Sequence, residues 1–198
     1  MSEPFATFVA MLAEVLNENV VRTERLTLSR PSWTDVDQVH ALMCDPSGWT
    51  HLPSGRHGDR AQTEQLVCAW LLGWDTYGLG VSVVRRRGSA EMLGYVGCSV
   101  RDDALWNLGH RLSPSAQGQG FAVEAAAAAI ARASEVRPTL PSVAVMLEHN
   151  HASVGVARAV GLTLVARGGD AGNPDRDAVR LVYADRALTE RQREAAMS

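Results

Sequence analysis

Apolar residues recur along this chain with two different periods, and the switches between them outline its elements. Phe5, Phe8, Val9, Leu12, Val15 and Leu16 share one helical face over residues 4 to 18, and Leu66, Trp70 and Trp74 share another over 61 to 75. A third helical stretch, Ala-rich, runs from 120 to 134, and Pro138 and Pro141 stop its continuation. Runs at 24–30, 79–86, 91–101, 105–112, 142–148, 162–167 and 178–184 read as strands. Ser32 or Thr34 caps a helix reaching Met43, with Asp35 and Asp37 in its first turn. Gly161 closes a short helix over 152–160, and Thr189 to Gln192 has the capping-box spacing of a short frayed helix. The segments 44–60 and 168–177 are loops by composition. This pattern predicts one α/β domain over 21–187 on a mixed, mostly antiparallel sheet, with an additional N-terminal helix in 1–20 and a tail at 188–198.

Composition narrows the function classes. A chain of 198 residues can bury a full core, and a formal charge of −3 supplies no basic field for nucleic acid. Arg85, Arg86 and Arg87 precede Gly88-Ser89 between two strand runs, which reads as a solvated hairpin turn. Cys44, Cys68 and Cys98 form no paired motif, which fits reduced, inert thiols in a cytoplasmic protein, and no metal is expected. Neither a signal peptide nor an apolar run of membrane-spanning length is recognised. The apolar face of the added N-terminal helix leaves a homodimer open.

The chemistry concentrates in Leu108 to Ala125, which reads as strand, two-glycine turn, then helix. Such a junction aims bare N–H groups and the positive helix end at one spot, an anion site. Gly118 and Gly120 are one residue apart and are followed by Phe121, so a P-loop with its Lys-Ser/Thr does not fit. Val123 stands where a dinucleotide fingerprint needs Gly or Ala.

The stretch resembles the coenzyme-A-binding motif of the GNAT superfamily of N-acetyltransferases, in particular the ribosomal-protein N-terminal acetyltransferase (RimJ/RimL-like) branch. Three more segments follow in that branch's order: Thr23 to Leu28 as a first strand, Asp45-Pro46 after the first helix, and Glu148 to Ser153 with Val160-Gly161-Leu162 as a second motif. The resemblance spans roughly 20 to 185 and implies a sheet with a splayed central strand pair near His110 to Ser113 and helices on both faces. It implies acetyl-coenzyme A as acyl donor, cradled by Leu112, Gln117, Gly118, Gln119, Gly120, Phe121 and Ala122, with Asn150 and Ser153 on the pantetheine arm. Ser115 replaces the Arg or Gln often found there.

Acyl transfer to an amine also needs proton handling. The family's frequent Tyr acid corresponds to Ala157, so the branch's serine, Ser153, is the expected donor to the leaving thiolate. His110 and Glu148 are the expected candidates for general base, with His149 and His151 behind them. Trp49, Trp106, His51, His57 and Asp59 are expected near an acceptor pocket, whereas Trp70 and Trp74 face the core. The expected reaction is direct attack by a primary amine, a protein N-terminus or a small molecule, in a ternary complex. A non-catalytic acyl-coenzyme-A-binding module is the alternative.

Overall fold

A computed structural model describes residues 19–50, 52–170 and 173–198. The helix expected at 4–18 and His51 lie outside the described residues. Among the described residues eight strands form one sheet in the order β1-β2-β3-β4-β5-β6-β8-β7. They are β1 Val20–Arg22, β2 Leu26–Ser29, β3 Val81–Arg86, β4 Met92–Arg101, β5 Leu105–Leu112, β6 Ser142–Leu147, β7 Thr163–Gly169 and β8 Val179–Ala184. Every neighbouring pair is antiparallel except β5 and β6. Among the described residues five α-helices flank the sheet: α1 Val36–Cys44, α2 Arg60–Tyr77, α3 Phe121–Val136, α4 His151–Ala159 and α5 Glu190–Met197.

Side-chain alternation sorts the core onto two faces. On one face Val84, Val96, Leu108 and Leu112 pack under Phe121, Ala125 and Ala129 of α3 and Ala157 of α4. On the other, Val81 and Val83 meet Val36, Val39 and Met43 of α1 and Val67 and Trp70 of α2. The C-terminal helix is docked rather than frayed: Ala195 and Ala196 are buried with Leu105, Val143 and Val182 on that second face. Small alanines on α3 and α5 let helix axes come close to the sheet, so their burial relies on contact rather than on side-chain bulk.

Two local expectations change. Residues 24 and 25 are not strand. They belong to a turn between β1 and β2, because Thr23 closes it by accepting the Leu26 N–H at 3.0 Å. The Arg-rich hairpin is not simply solvated. Arg85 forms a partly buried ion pair with Asp35, and Arg86 lies 4.9 Å over the Phe121 ring.

The loop 45–59 is tethered rather than loose. Asp45 accepts from Ser47 N–H at 2.9 Å, and Asp59 caps α2 at Gln62 N–H, also at 2.9 Å. The fully buried hydroxyl of Thr63 lies 2.8 Å from Nδ1 of both His40 and His57. Burial and the neighbouring His40 hold the His57 pKa below its usual value.

Candidate active site

The β5–β6 ladder contains three registered pairs, Trp106 with Ser142, Asn107 with Val143 and Leu108 with Ala144. Beyond them β5 stays paired to β4 through Leu112, while β6 stays paired to β8 through Leu147. Each strand follows its outer neighbour, so the central pair parts. The Trp106 N–H donates to Pro141 O at 2.9 Å, on the β6 side. Strand alternation therefore turns the N–H groups of His110 and Leu112 toward the gap.

At the end of β5, Ser113 N–H bonds Leu93 O, and Pro114–Ala116 makes one 3-10 turn. Gly118 and Gly120 then take φ of +73° and +77°. This left-handed backbone costs an ordinary residue about 1–2 kcal/mol, which is why glycine stands there. Glu124 N–H to Gly120 O, 3.1 Å, opens the hydrogen bonding of α3. The N–H groups of Phe121, Ala122 and Val123 consequently precede the first turn's acceptors, and all three residues line a cavity of about 700 Å³. Gln117 Nε2 donates to Leu112 O at 3.1 Å and Gln119 Nε2 to Ser115 O at 2.8 Å, so both side chains brace the turn from within.

A clamp from the first hairpin fixes this mouth. Glu124 accepts from the Thr23 hydroxyl at 2.5 Å, from Arg25 N–H at 2.9 Å and from Arg25 Nε at 2.7 Å. Arg25 also donates to Gln119 O and lies 4.7 Å over the Phe121 ring. Burial pushes the Glu124 carboxyl up, but the bonds from Thr23 and Arg25 outweigh it and hold the pKa below its ordinary 4.5.

The opposite wall comes from the β6–α4 junction. Asn150 caps α4 by accepting Ser153 N–H at 3.2 Å, which turns Asn150 and Ser153 to the cavity together. Leu112, Gln117, Gly118, Gly120, Phe121, Ala122, His110, Asn150 and Ser153 all border this one cavity. Gln119 and Glu148 do not. Glu148 instead makes a two-point pair with Arg167 at 2.8 and 2.9 Å. Those bonds lower its pKa, which weakens it as a proton acceptor.

Sequence reasoning missed Arg111. It projects from β5 on the face opposite Leu112, donates to Gly48 O, and stacks with its guanidinium carbon 3.4 Å from the Trp49 ring centre. Ser47, Gly48 and Thr50 join it on the cavity wall. The available signal was a cation between His110 and Leu112 in a strand that carries no other arginine or lysine. Trp49 itself is buried and backs Arg111 rather than lining the cavity; its indole N–H donates to Met43 O at 2.8 Å. The ring lies so close to Gly55 that a Cβ there would sit 2.2 Å from it. Trp106 is fully buried in the core and not at the acceptor pocket. His57 and Asp59 tether the loop instead of lining the cavity.

Cys98 is enclosed, and burial pushes its thiol up to about 12, so it carries no thiolate. None of the three cysteines borders the cavity. Among the described residues no helix is long and apolar enough to cross a membrane, and no group of three or more His, Cys, Asp or Glu is placed to hold a metal ion.

Comparison with known proteins agrees with this geometry. A family model described as an acetyltransferase (GNAT) domain matches residues 25–163. An acetyltransferase from Agrobacterium tumefaciens is 28% identical with a TM-score of 0.69, over 83% of this chain and 92% of that one. A GNAT-family acetyltransferase from Bordetella pertussis is 24% identical with a TM-score of 0.70, over 84% and 99%. RimL, a ribosomal alpha-N-protein acetyltransferase solved in complex with coenzyme A, is 21% identical with a TM-score of 0.70, over 85% and 98%. A search of curated proteins returns no match.

Proposed function

The chain belongs to the GNAT acetyltransferase family, and from that premise we propose that it transfers the acetyl group of acetyl-coenzyme A to a primary amine by direct attack in a ternary complex. The observation that carries this is the short β5–β6 ladder opening onto a cavity that continues to the glycine turn. A thioester arm needs a slot between strands, and its diphosphate needs main-chain donors at the slot's mouth. Both are present and joined. The left-handed glycines and the first turn of α3 fit a diphosphate, since neither Gly118 nor Gly120 would present a Cβ to it.

Bound there, acetyl-coenzyme A supplies an activated acyl carbon. The Leu112 N–H, turned into the gap, polarises the acyl oxygen; one such donor is worth roughly 3–4 kcal/mol in comparable oxyanion sites. The amine nitrogen forms its bond to the acyl carbon, the carbon–sulfur bond breaks, and the Ser153 hydroxyl donates to the departing sulfur. The ammonium proton leaves toward His110, directly or through water, because Glu148 is engaged by Arg167. The order of motifs, and likeness in fold to ribosomal-protein acetyltransferases, support placing the chain near that branch.

Calorimetry with acetyl-coenzyme A, followed by thiol release with a panel of amines, tests this. Saturable binding with amine-stimulated release is expected. Binding without stimulated release leaves a non-catalytic binding module, and no binding ends the reading.

A further inference from the structure

The cavity contains a charge that acyl transfer alone does not use. Arg111 is the one permanently charged side chain among the described lining residues; His110, His149 and His151 accompany it, and no aspartate or glutamate does. Three arginines elsewhere carry a counter-ion of their own: Arg25 has Glu124, Arg85 has Asp35, Arg180 has Asp170. Among the described residues no carboxylate pairs with Arg111. It has the Gly48 carbonyl and the Trp49 ring face, and its Nε is buried with no hydrogen-bond partner. Stacking on an indole recovers part of the cost of withdrawing a cation from water, but an under-satisfied guanidinium beside a cavity remains an anion site.

We propose that the counter-ion arrives with the acceptor: the amine acylated here carries a carboxylate of its own within a few bonds, and Arg111 pairs with it. This rests on the acyl-transfer reading above and names its substrate class. Placement separates this charge from the coenzyme's phosphates. Leu108 and Leu112 pack with Phe121 beneath α3, where the glycine turn lies, whereas Arg111 leaves β5 on the other face toward Gly48 and Trp49. A guanidinium is a planar set of donors whose geometry suits the two oxygens of a carboxylate. The same positive wall favours the neutral form of the incoming amine, the form that attacks. Arg111 is therefore a specificity-determining residue for the second substrate.

The test uses amino acids and short peptides in pairs, one partner with a free carboxylate near the amine and the other with a carboxamide. Each pair is assayed for thiol release and also titrated calorimetrically into the protein saturated with coenzyme A, so that binding is read with or without turnover. Wild type is expected to favour the carboxylate partner at least tenfold, although the carboxamide's amine loses its proton more readily. Arg111→Gln is expected to lower the carboxylate partner at least tenfold more than the carboxamide, and Arg111→Lys, which keeps the charge and guards against a folding defect, to restore part of the ratio. Equal use of both partners by wild type, or an equal loss of both in Arg111→Gln, overturns the proposal while the acyl-transfer reading stands. A weakening of coenzyme A binding in Arg111→Gln as large as that of the carboxylate partner also overturns it, because the anion would then be the coenzyme's. Failure of wild type to bind acetyl-coenzyme A removes both readings.

Discussion

At the glycine turn the cavity is walled by main chain; beside Arg111 it is walled by residues drawn from distant segments. The first wall is nearly contiguous in sequence, Leu112 to Val123, and its donors are amides that any residue would supply once Gly118 and Gly120 set the path. The second joins Arg111 from β5 to Gly48 and Trp49 from the loop 45–59, held by Met43, Thr63 and Gly55. A family can keep the first wall while its members change the second, so one scaffold can hold a common acyl donor and admit different acceptors.

If the two walls are independent, removing the indole should damage only one of them. Trp49→Ala deletes a buried ring, and truncations of this kind cost about 3–5 kcal/mol. Chemical denaturation should register that loss, and acceptor KM should rise as Arg111 loses its platform, while the dissociation constant for coenzyme A stays within about twofold. A matching loss of coenzyme A affinity would show that the walls are mechanically one. Gly120→Val attacks the other side. The φ of +77° makes a branched residue strained there by about 1–2 kcal/mol, so coenzyme A should bind roughly tenfold more weakly by calorimetry with acceptor selectivity preserved.

Smaller effects sharpen the contrast. Glu124→Gln removes the clamp on α3 and should cost about 1 kcal/mol of stability near neutral pH. Because the folded-state pKa of Glu124 is depressed below 4.5, its contribution is fully present above that value and is lost as pH falls through the folded pKa. Wild-type and variant denaturation curves should therefore converge in acid. His57 titrates in a higher window. Its pKa is depressed from 6.5, so the tether it gives the loop 45–59 is present above 6.5 and fades as pH drops through the lowered value. Hydrogen exchange corrected for the intrinsic rate should show the loop 45–59 opening on mild acidification while residues 117–124 stay protected. Simultaneous opening of both segments would contradict separate walls.

The same contrast explains what was legible in the sequence. Strand and helix periods located the described strands and α-helices to within a few residues, except the three-residue β1, which they missed, and β5 falls at 105–112 in both readings, because alternation and glycine placement are local properties. The glycine turn was legible for that reason. Arg111 was not, since its significance depends on Trp49 arriving from a distant loop and on no carboxylate among the described residues pairing with it. The Thr23–Arg25 turn was misread as strand because Glu124, a hundred residues on, decides its shape. Trp49 and Trp106 were expected at the pocket because an aromatic in a loop or near a parted strand gives no sign of which side it faces.

The Thr63 hydroxyl has a single hydrogen, yet it sits 2.8 Å from a ring nitrogen of each of two imidazoles. It can give that hydrogen to one ring only, so the other ring must supply a hydrogen of its own from Nδ1. His40 and His57 therefore cannot both be neutral Nε2–H tautomers. Whichever neutral ring is protonated at Nδ1 has a bare lone pair on Nε2; on His40 that atom lies 3.5 Å from Cys44 Sγ. A valine at this position would keep the shape of threonine and leave two ring nitrogens facing a methyl group.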